Sequence, residues 1–240
     1  IGAWALYDWA NSVYSLVISS AIFPIYYSQY VFSQTNSVEI LNLDINKDTL
    51  ISSVSAISFL LIAFLSPLLS GIADFIGNKK IFMKFFVYMG SLSCIGLYWF
   101  ELETIEISLL FYTLGLIGFW GSLVYYNSYL TDITYPNQTN KVSAKGYTMG
   151  YVGSVILLLI NLFMINYYET FGFESEIAAM KSSFAIVGIW WLSFSQYSFY
   201  HLPTGNRGVK VPKNIIWNGF KELKGVYKFI RTSKRFTRFL

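Results

Sequence analysis

Charged residues divide this chain into six long uncharged windows, 9–38, 49–73, 85–100, 107–131, 146–168 and 182–206, each dominated by apolar side chains. A helix rises ~1.5 Å per residue and the hydrocarbon of a bilayer is ~30 Å thick, so ~20 apolar residues make one crossing. The third window is short, but it reaches that length by taking in Ile81, Phe82 and Met83 while Lys84 turns its ammonium back to the interface. The pattern predicts six transmembrane helices, and hence an all-α membrane protein. Buried helices of a soluble core would instead show polar faces and longer charged connections.

Composition agrees: 55% of residues are hydrophobic, 20% aromatic and 12% charged, with a mean hydropathy of +0.48. That balance excludes an ordinary soluble domain. A secretory signal peptide fits the first window poorly, because no basic leader precedes it and the apolar run continues too far. Cys94 is the single cysteine, and no Cys/His cluster is present, so neither an internal disulfide nor a metal or other cofactor is expected. The sequon Asn137-Gln138-Thr139 is expected to be accidental, given a cytoplasmic loop.

Basic residues set the orientation. Lys79, Lys80 and Lys84 follow the second window, Lys141 and Lys145 the fourth, and ten of the 17 Lys and Arg lie beyond the sixth. The odd-numbered connections hold only Lys47 and Lys181 but nine acids, from Glu39 to Glu176. The positive-inside rule therefore places the even connections and both termini in the cytoplasm, as in a multi-pass protein of the cell membrane.

Residues 204–240 change character, with ten basic residues against one acid, Glu222, and an apolar stripe at Ile216, Phe220, Leu223, Tyr227 and Ile230. That spacing is one face of a helix, which predicts an amphipathic connector on the anionic leaflet. Membrane lipid is the partner this favours over nucleic acid or a regulatory protein. The chain starts at Ile1 and stops at Arg238-Phe239-Leu240, where a further apolar segment would begin, so it is expected to be the front half of a longer protein. Residues 1–203 would form a six-helix bundle, and 204–240 would lead to a second half.

The opening IGAWALYDWANSVYS puts a carboxylate, Asp8, beside the first window. At ~100° per residue Trp4, Asn11, Ser12, Ser15, Ser19 and Tyr26 fall within ~60° of Asp8, with Leu6, Val13 and Val17 opposite. Lipid penalises such a stripe, so it is expected to face the bundle interior or an aqueous cavity. Interhelical bridging by Ser and Asn is the plainer alternative. The fourth helix carries Gly115, Gly118, Gly121 and Ser122, then Tyr125, Tyr126 and Asn127, an aromatic and amide cluster suited to a ligand wall. In the fifth, Gly146, Gly150, Gly153 and Ser154 share a small-residue packing face, while Tyr147 and Tyr151 stay open between wall and packing. The stretch Ser66–Lys80, with Gly71 within it, predicts a tight cytoplasmic turn in which Gly77 can take φ > 0 at a helix end, Asp74 can accept bonds from a neighbouring helix N-terminus, and Lys79 and Lys80 hold the turn on the cytoplasmic side.

Together these residues resemble a family. The Ser66–Lys80 turn is similar to the signature loop of the major facilitator superfamily. Trp4-Ala5-Leu6-Tyr7-Asp8-Trp9-Ala10-Asn11-Ser12 resembles the opening helix of its vacuole-effluxer-like branch, related to autophagy-associated vacuolar amino-acid effluxers. Tyr126-Asn127-Ser128-Tyr129-Leu130, the Gly146–Ser154 run followed by Asn161-Leu162, and Trp190-Trp191 extend the likeness, which runs in order over residues 3–203. Ser70 and Phe75 depart from the loop pattern, where Gly and Arg are frequent, which places the usual charge network of that gate in question.

The resemblance implies the six-helix amino-terminal half of a twelve-helix alternating-access carrier, built as two three-helix inverted repeats. The first and fourth helices would line a central cavity, the second and fifth would meet the other half, and the third and sixth would face lipid. The function expected is secondary transport of a small polar solute, with amino acids and proton coupling in view, and a substrate site at Tyr7, Asp8, Asn11, Ser15, Tyr125, Tyr126 and Asn127. Gating falls to Gly71, Asp74, Gly77, Lys79 and Lys80; helix packing falls to Gly146, Gly150 and Gly153, with Gly150 on the face toward the other half. A channel or non-transporting scaffold is the alternative. An intramembrane enzyme is weaker still, since it needs a nucleophile and base or metal ligands on facing helices and the single His201 is better placed as an interfacial residue.

Overall fold

The computed structural model describes residues 1–40, 42–76 and 78–204. Leu41, Gly77 and the basic stretch 205–240, with its stripe from Ile216 to Ile230, lie outside the described residues. Helix α1 is a continuous helical path over 2–31, in which Gly2–Val13 is α-helical, Tyr14–Ala21 widens to π pitch, Ile22–Ile25 returns to α and Tyr26–Val31 widens again. The others are α2 (Lys47–Ile76), α3 (Lys79–Gly96, continued by a 3₁₀ turn Leu97–Trp99), α4 (Ile105–Ile133), α5 (Thr139–Asn166) and α6 (Glu176–His201). Five of them, α2 through α6, contain spans long and apolar enough to cross a membrane. Each coincides with one of the uncharged windows.

Two features depart from the window pattern. Helix α1 begins six residues before Asp8, so the carboxylate sits inside the helix and not at its end. The last uncharged residues of the first window leave the helix and enter a two-stranded antiparallel hairpin, β1 (Ser37–Ile40) and β2 (Leu43–Asn46), in register Ile40↔Leu43. Asn42 takes φ 61° at its turn, a left-handed conformation that asparagine tolerates better than most residues. Tyr27 Oη and Lys47 Nζ fasten the hairpin to α1, donating to the carbonyls of Lys47 (2.8 Å) and Ser28 (3.2 Å).

The packing has an internal symmetry. Helix α1 lies against α5 and α6, α4 lies against α2 and α3, and α3 lies against α6. Exchanging helix one with four, two with five and three with six maps these pairs onto themselves. Three crossings reverse the polarity of the chain, so two such triplets are inverted relative to each other.

Glycines permit the closest approaches. A Cβ on Gly118 would stand 2.5 Å from the Gly90 Cα and 2.6 Å from its nitrogen, so α3 and α4 meet backbone to backbone. Outward faces remain apolar, with Ile57, Leu60 and Phe64 on α2 and Phe85 and Leu92 on α3 exposed. Water would penalise that surface and lipid does not. Lys84 reaches back over the Phe199 ring, its Nζ 5.4 Å from the centroid, as expected of a lysine lying along an apolar face.

Candidate substrate groove

The first turns of α1 are buried by α5, and the reason is the small-residue face of α5. A Cβ at Gly146 would lie 2.7 Å from both Trp4 Cζ3 and Tyr126 Oη, one at Gly150 would lie 2.5 Å from Ser12 Oγ and 3.2 Å from Asp8 Cγ, and one at Gly153 would lie 2.8 Å from the Trp9 carbonyl. The face therefore closes on α1 within this bundle. Gly150, expected on a face toward a second half, packs within this bundle on Ser12 and Asp8 of α1; the sequence shows which residues share a face, but not what covers it.

Trp4 anchors the wall. Its Nε1 donates to the Tyr126 carbonyl at 2.8 Å, and its ring stacks on Tyr126 with centroids 4.3 Å apart and planes 9° from parallel. Helices α1 and α4 are thus pinned at the level of Asp8. Ser12 Oγ donates to Asp8 Oδ1 at 3.2 Å, which fixes one carboxylate oxygen. Asp8 is 6% exposed and forms no ion pair among the described residues.

From this anchor a groove of about 450 Å³ opens between α1, α4 and α5. Helix α1 contributes Asp8, Asn11, Ser12, Ser15 and Ser20; α4 contributes Phe119, Trp120, Tyr126 and Asn127; α5 contributes Tyr147, Tyr151 and Ser154. Of the substrate residues expected from sequence, the structure brings Asp8, Asn11, Ser15, Tyr126 and Asn127 to this wall.

Tyr7 and Tyr125 are elsewhere. Tyr7 is fully buried behind the wall, its ring 5.0 Å from Tyr126, and Tyr125 turns away to stack on Phe82 and Phe86 of α3 at 5.6 and 6.0 Å. Consecutive helical residues point ~100° apart, so Tyr125, Tyr126 and Asn127 cannot all face one cavity. Behind the wall, the side chains of Ser122, Asn11 and Trp191 lie around the buried Tyr7 hydroxyl.

Ser20 lines the groove where uniform α pitch pointed to Ser19. The reason is the π stretch Tyr14–Ala21, in which contacts run from i to i+5: Ser20 Oγ donates to the Ser15 carbonyl at 2.9 Å. Trp120 was also missed. Tyr147 and Tyr151, one turn apart on α5, carried the available signal for an aromatic wall.

At the same end of the bundle as Asp8, Lys79 Nζ pairs with Asp132 Oδ2 at 3.0 Å and approaches the Ser128 carbonyl at 3.5 Å, tying the start of α3 to the end of α4. Lys80 is buried beside it. Gly71 and Asp74 fall on the last turns of α2, and Gly77 lies outside the described residues. Among the described residues no three His, Cys, Asp or Glu side chains cluster as metal ligands.

Comparison with known proteins gives three findings. The family described as vacuole effluxer Atg22 like has a model that matches residues 1–240. An uncharacterized MFS-type transporter, YxiO of Bacillus subtilis (strain 168), is 35% identical over 239 residues, covering 99% of this chain and 54% of that protein, so the chain spans about half the length of the curated relative it matches. No solved structure matches the chain significantly.

Proposed function

Because the chain belongs to the vacuole effluxer Atg22-like family, an MFS-type group of integral membrane proteins, we propose that it forms the amino-terminal half of an alternating-access secondary carrier for a small polar solute. Amino acids are the first substrates to test, with protons the coupling ion. The observation that carries this reading is the groove itself. Its polar α1 face holds a carboxylate among membrane-spanning helices, a placement that is costly unless a substrate, a proton or a partner relieves it. A second six-helix half, in chain beyond Leu240, would close the open side. MFS-type ancestry favours a carrier over a channel, a scaffold or an intramembrane enzyme.

The test is exchange. Full-length protein in proteoliposomes is expected to swap labelled external for unlabelled internal amino acid with one-for-one stoichiometry that saturates. Non-saturating flux without exchange would identify a channel, and no flux for any polar solute would leave a scaffold.

Orientation is tested by cysteine labelling. Asn78 is unsuitable, being buried, whereas Asn137 in the connection after α4 and Glu103 in the connection after α3 are exposed. With cytoplasmic termini, Asn137→Cys reacts with impermeant maleimide only after the membrane is opened, and Glu103→Cys reacts on intact cells. The reverse pattern would invert the topology.

A further inference from the structure

We infer that the groove recognises its ligand through an ammonium group, so that the solutes it takes are small organic ammonium compounds or the ammonium end of a zwitterion. This deepens the transport reading above and rests on it for its biological meaning. Among the described residues that line the groove Asp8 is the only charged one, with no lysine or arginine. A ligand bearing only a carboxylate would enter beside an unpaired negative charge, whereas a cation would supply the partner that Asp8 lacks among the described residues.

The rest of the wall has the matching chemistry. Trp4, Phe119, Trp120, Tyr126, Tyr147 and Tyr151 surround the same space. Aromatic ring faces are electronegative and hold ammonium groups, most strongly away from water. The Trp4–Tyr126 stack fixes two of these rings, and Ser12 fixes Asp8 through Oδ1. Gly150 keeps α5 from filling the space against the carboxylate. A bare alkali cation is a poorer match, because it wants several converging oxygens and draws little from the ring faces along the groove, whereas an organic ammonium meets both the carboxylate and the rings. The hydroxyl and amide groups of Ser15, Ser20 and Asn127 remain for the polar remainder of the solute.

Calorimetry on the full-length protein in detergent tests the assignment with butylammonium, tetramethylammonium, butyrate and sodium chloride as probes. Both ammonium probes are expected to bind, and butyrate and sodium are not. Asp8→Asn is expected to weaken ammonium binding by at least about tenfold. Tyr151 is 73% exposed and supports no core, so Tyr151→Ala folds; it is expected to weaken binding about threefold to tenfold while Tyr151→Phe, which keeps the ring, restores it. Butyrate or sodium binding as tightly as butylammonium, or unchanged ammonium affinity in Asp8→Asn or Tyr151→Ala, would overturn the inference. Ammonium binding by a protein that exchanges no solute would uphold it and sink the carrier; solute exchange without ammonium binding would do the reverse.

Discussion

Asp8→Asn is expected to reach the membrane at wild-type levels and to lose proton-driven transport entirely. The side chains are nearly isosteric, and the Asn Oδ1 still accepts from Ser12 Oγ, the hydrogen bond that orients the native carboxylate. Folding should not suffer, since an ionised carboxylate at membrane depth costs at least ~2.5 kcal/mol on insertion scales and the amide removes that cost. What the amide cannot do is carry charge or release a proton. In proteoliposomes with an imposed pH gradient, the variant should therefore show background uptake beside an active wild type. Normal gradient-driven uptake by Asp8→Asn would make Asp8 a structural polar group and move the coupling site elsewhere.

Gly118→Val is expected to cause the largest loss of stability. The atoms its side chain would strike are the Gly90 Cα and nitrogen and, at 2.7 Å, the Phe86 carbonyl, all backbone of α3 and unable to rotate aside. Retreat of α3 is blocked in turn, because Gly90 itself sits under the Trp191 ring of α6. Overpacking of this kind typically costs ~1–3 kcal/mol, and here the strain passes through three helices. Gly2→Ala is the matched control, since nothing lies within 4 Å of its Cβ position. Melting of the two variants in detergent, followed by tryptophan emission, should show a clear drop for Gly118→Val and none for Gly2→Ala; equal melting temperatures would mean that α3 and α4 do not meet at this glycine pair.

The bundle was legible in the sequence to the extent that its physics is one-dimensional. A charge facing lipid is costly wherever it falls, so the uncharged windows mark α2 through α6 directly. Properties that depend on neighbours were not legible. Gly146, Gly150 and Gly153 announce a close helix contact, but only the fold shows that α1 makes it. The α1 stripe read well from Trp4 to Ser12, where the pitch is α, still held at Ser15 at the start of the π stretch, and had slipped by one residue at Ser20 near its end. Tyr7 and Tyr125 have the chemistry of a site and the geometry of a core. The hairpin at Ser37–Asn46 was hidden because its alternation is only four residues long on each side.

The exchange symmetry of the packing has a consequence for the order in which the chain assembles. Helix α1 is made first, yet among the described residues it meets α2 mainly through the Lys47 bonds at the hairpin and packs far more on α5 and α6 than on α2 or α3. Its partners arrive late: Trp4 bonds to Tyr126 across 122 residues, Trp190 to Trp9 across 181 and Ser198 to Ala3 across 195. Contacts so distant in sequence carry a large closure entropy and form slowly. Until α5 and α6 have been synthesised and inserted, the Asp8 face of α1 can be covered from within the described residues only by the Tyr126 end of α4, and the small-residue face that closes over it is still to come.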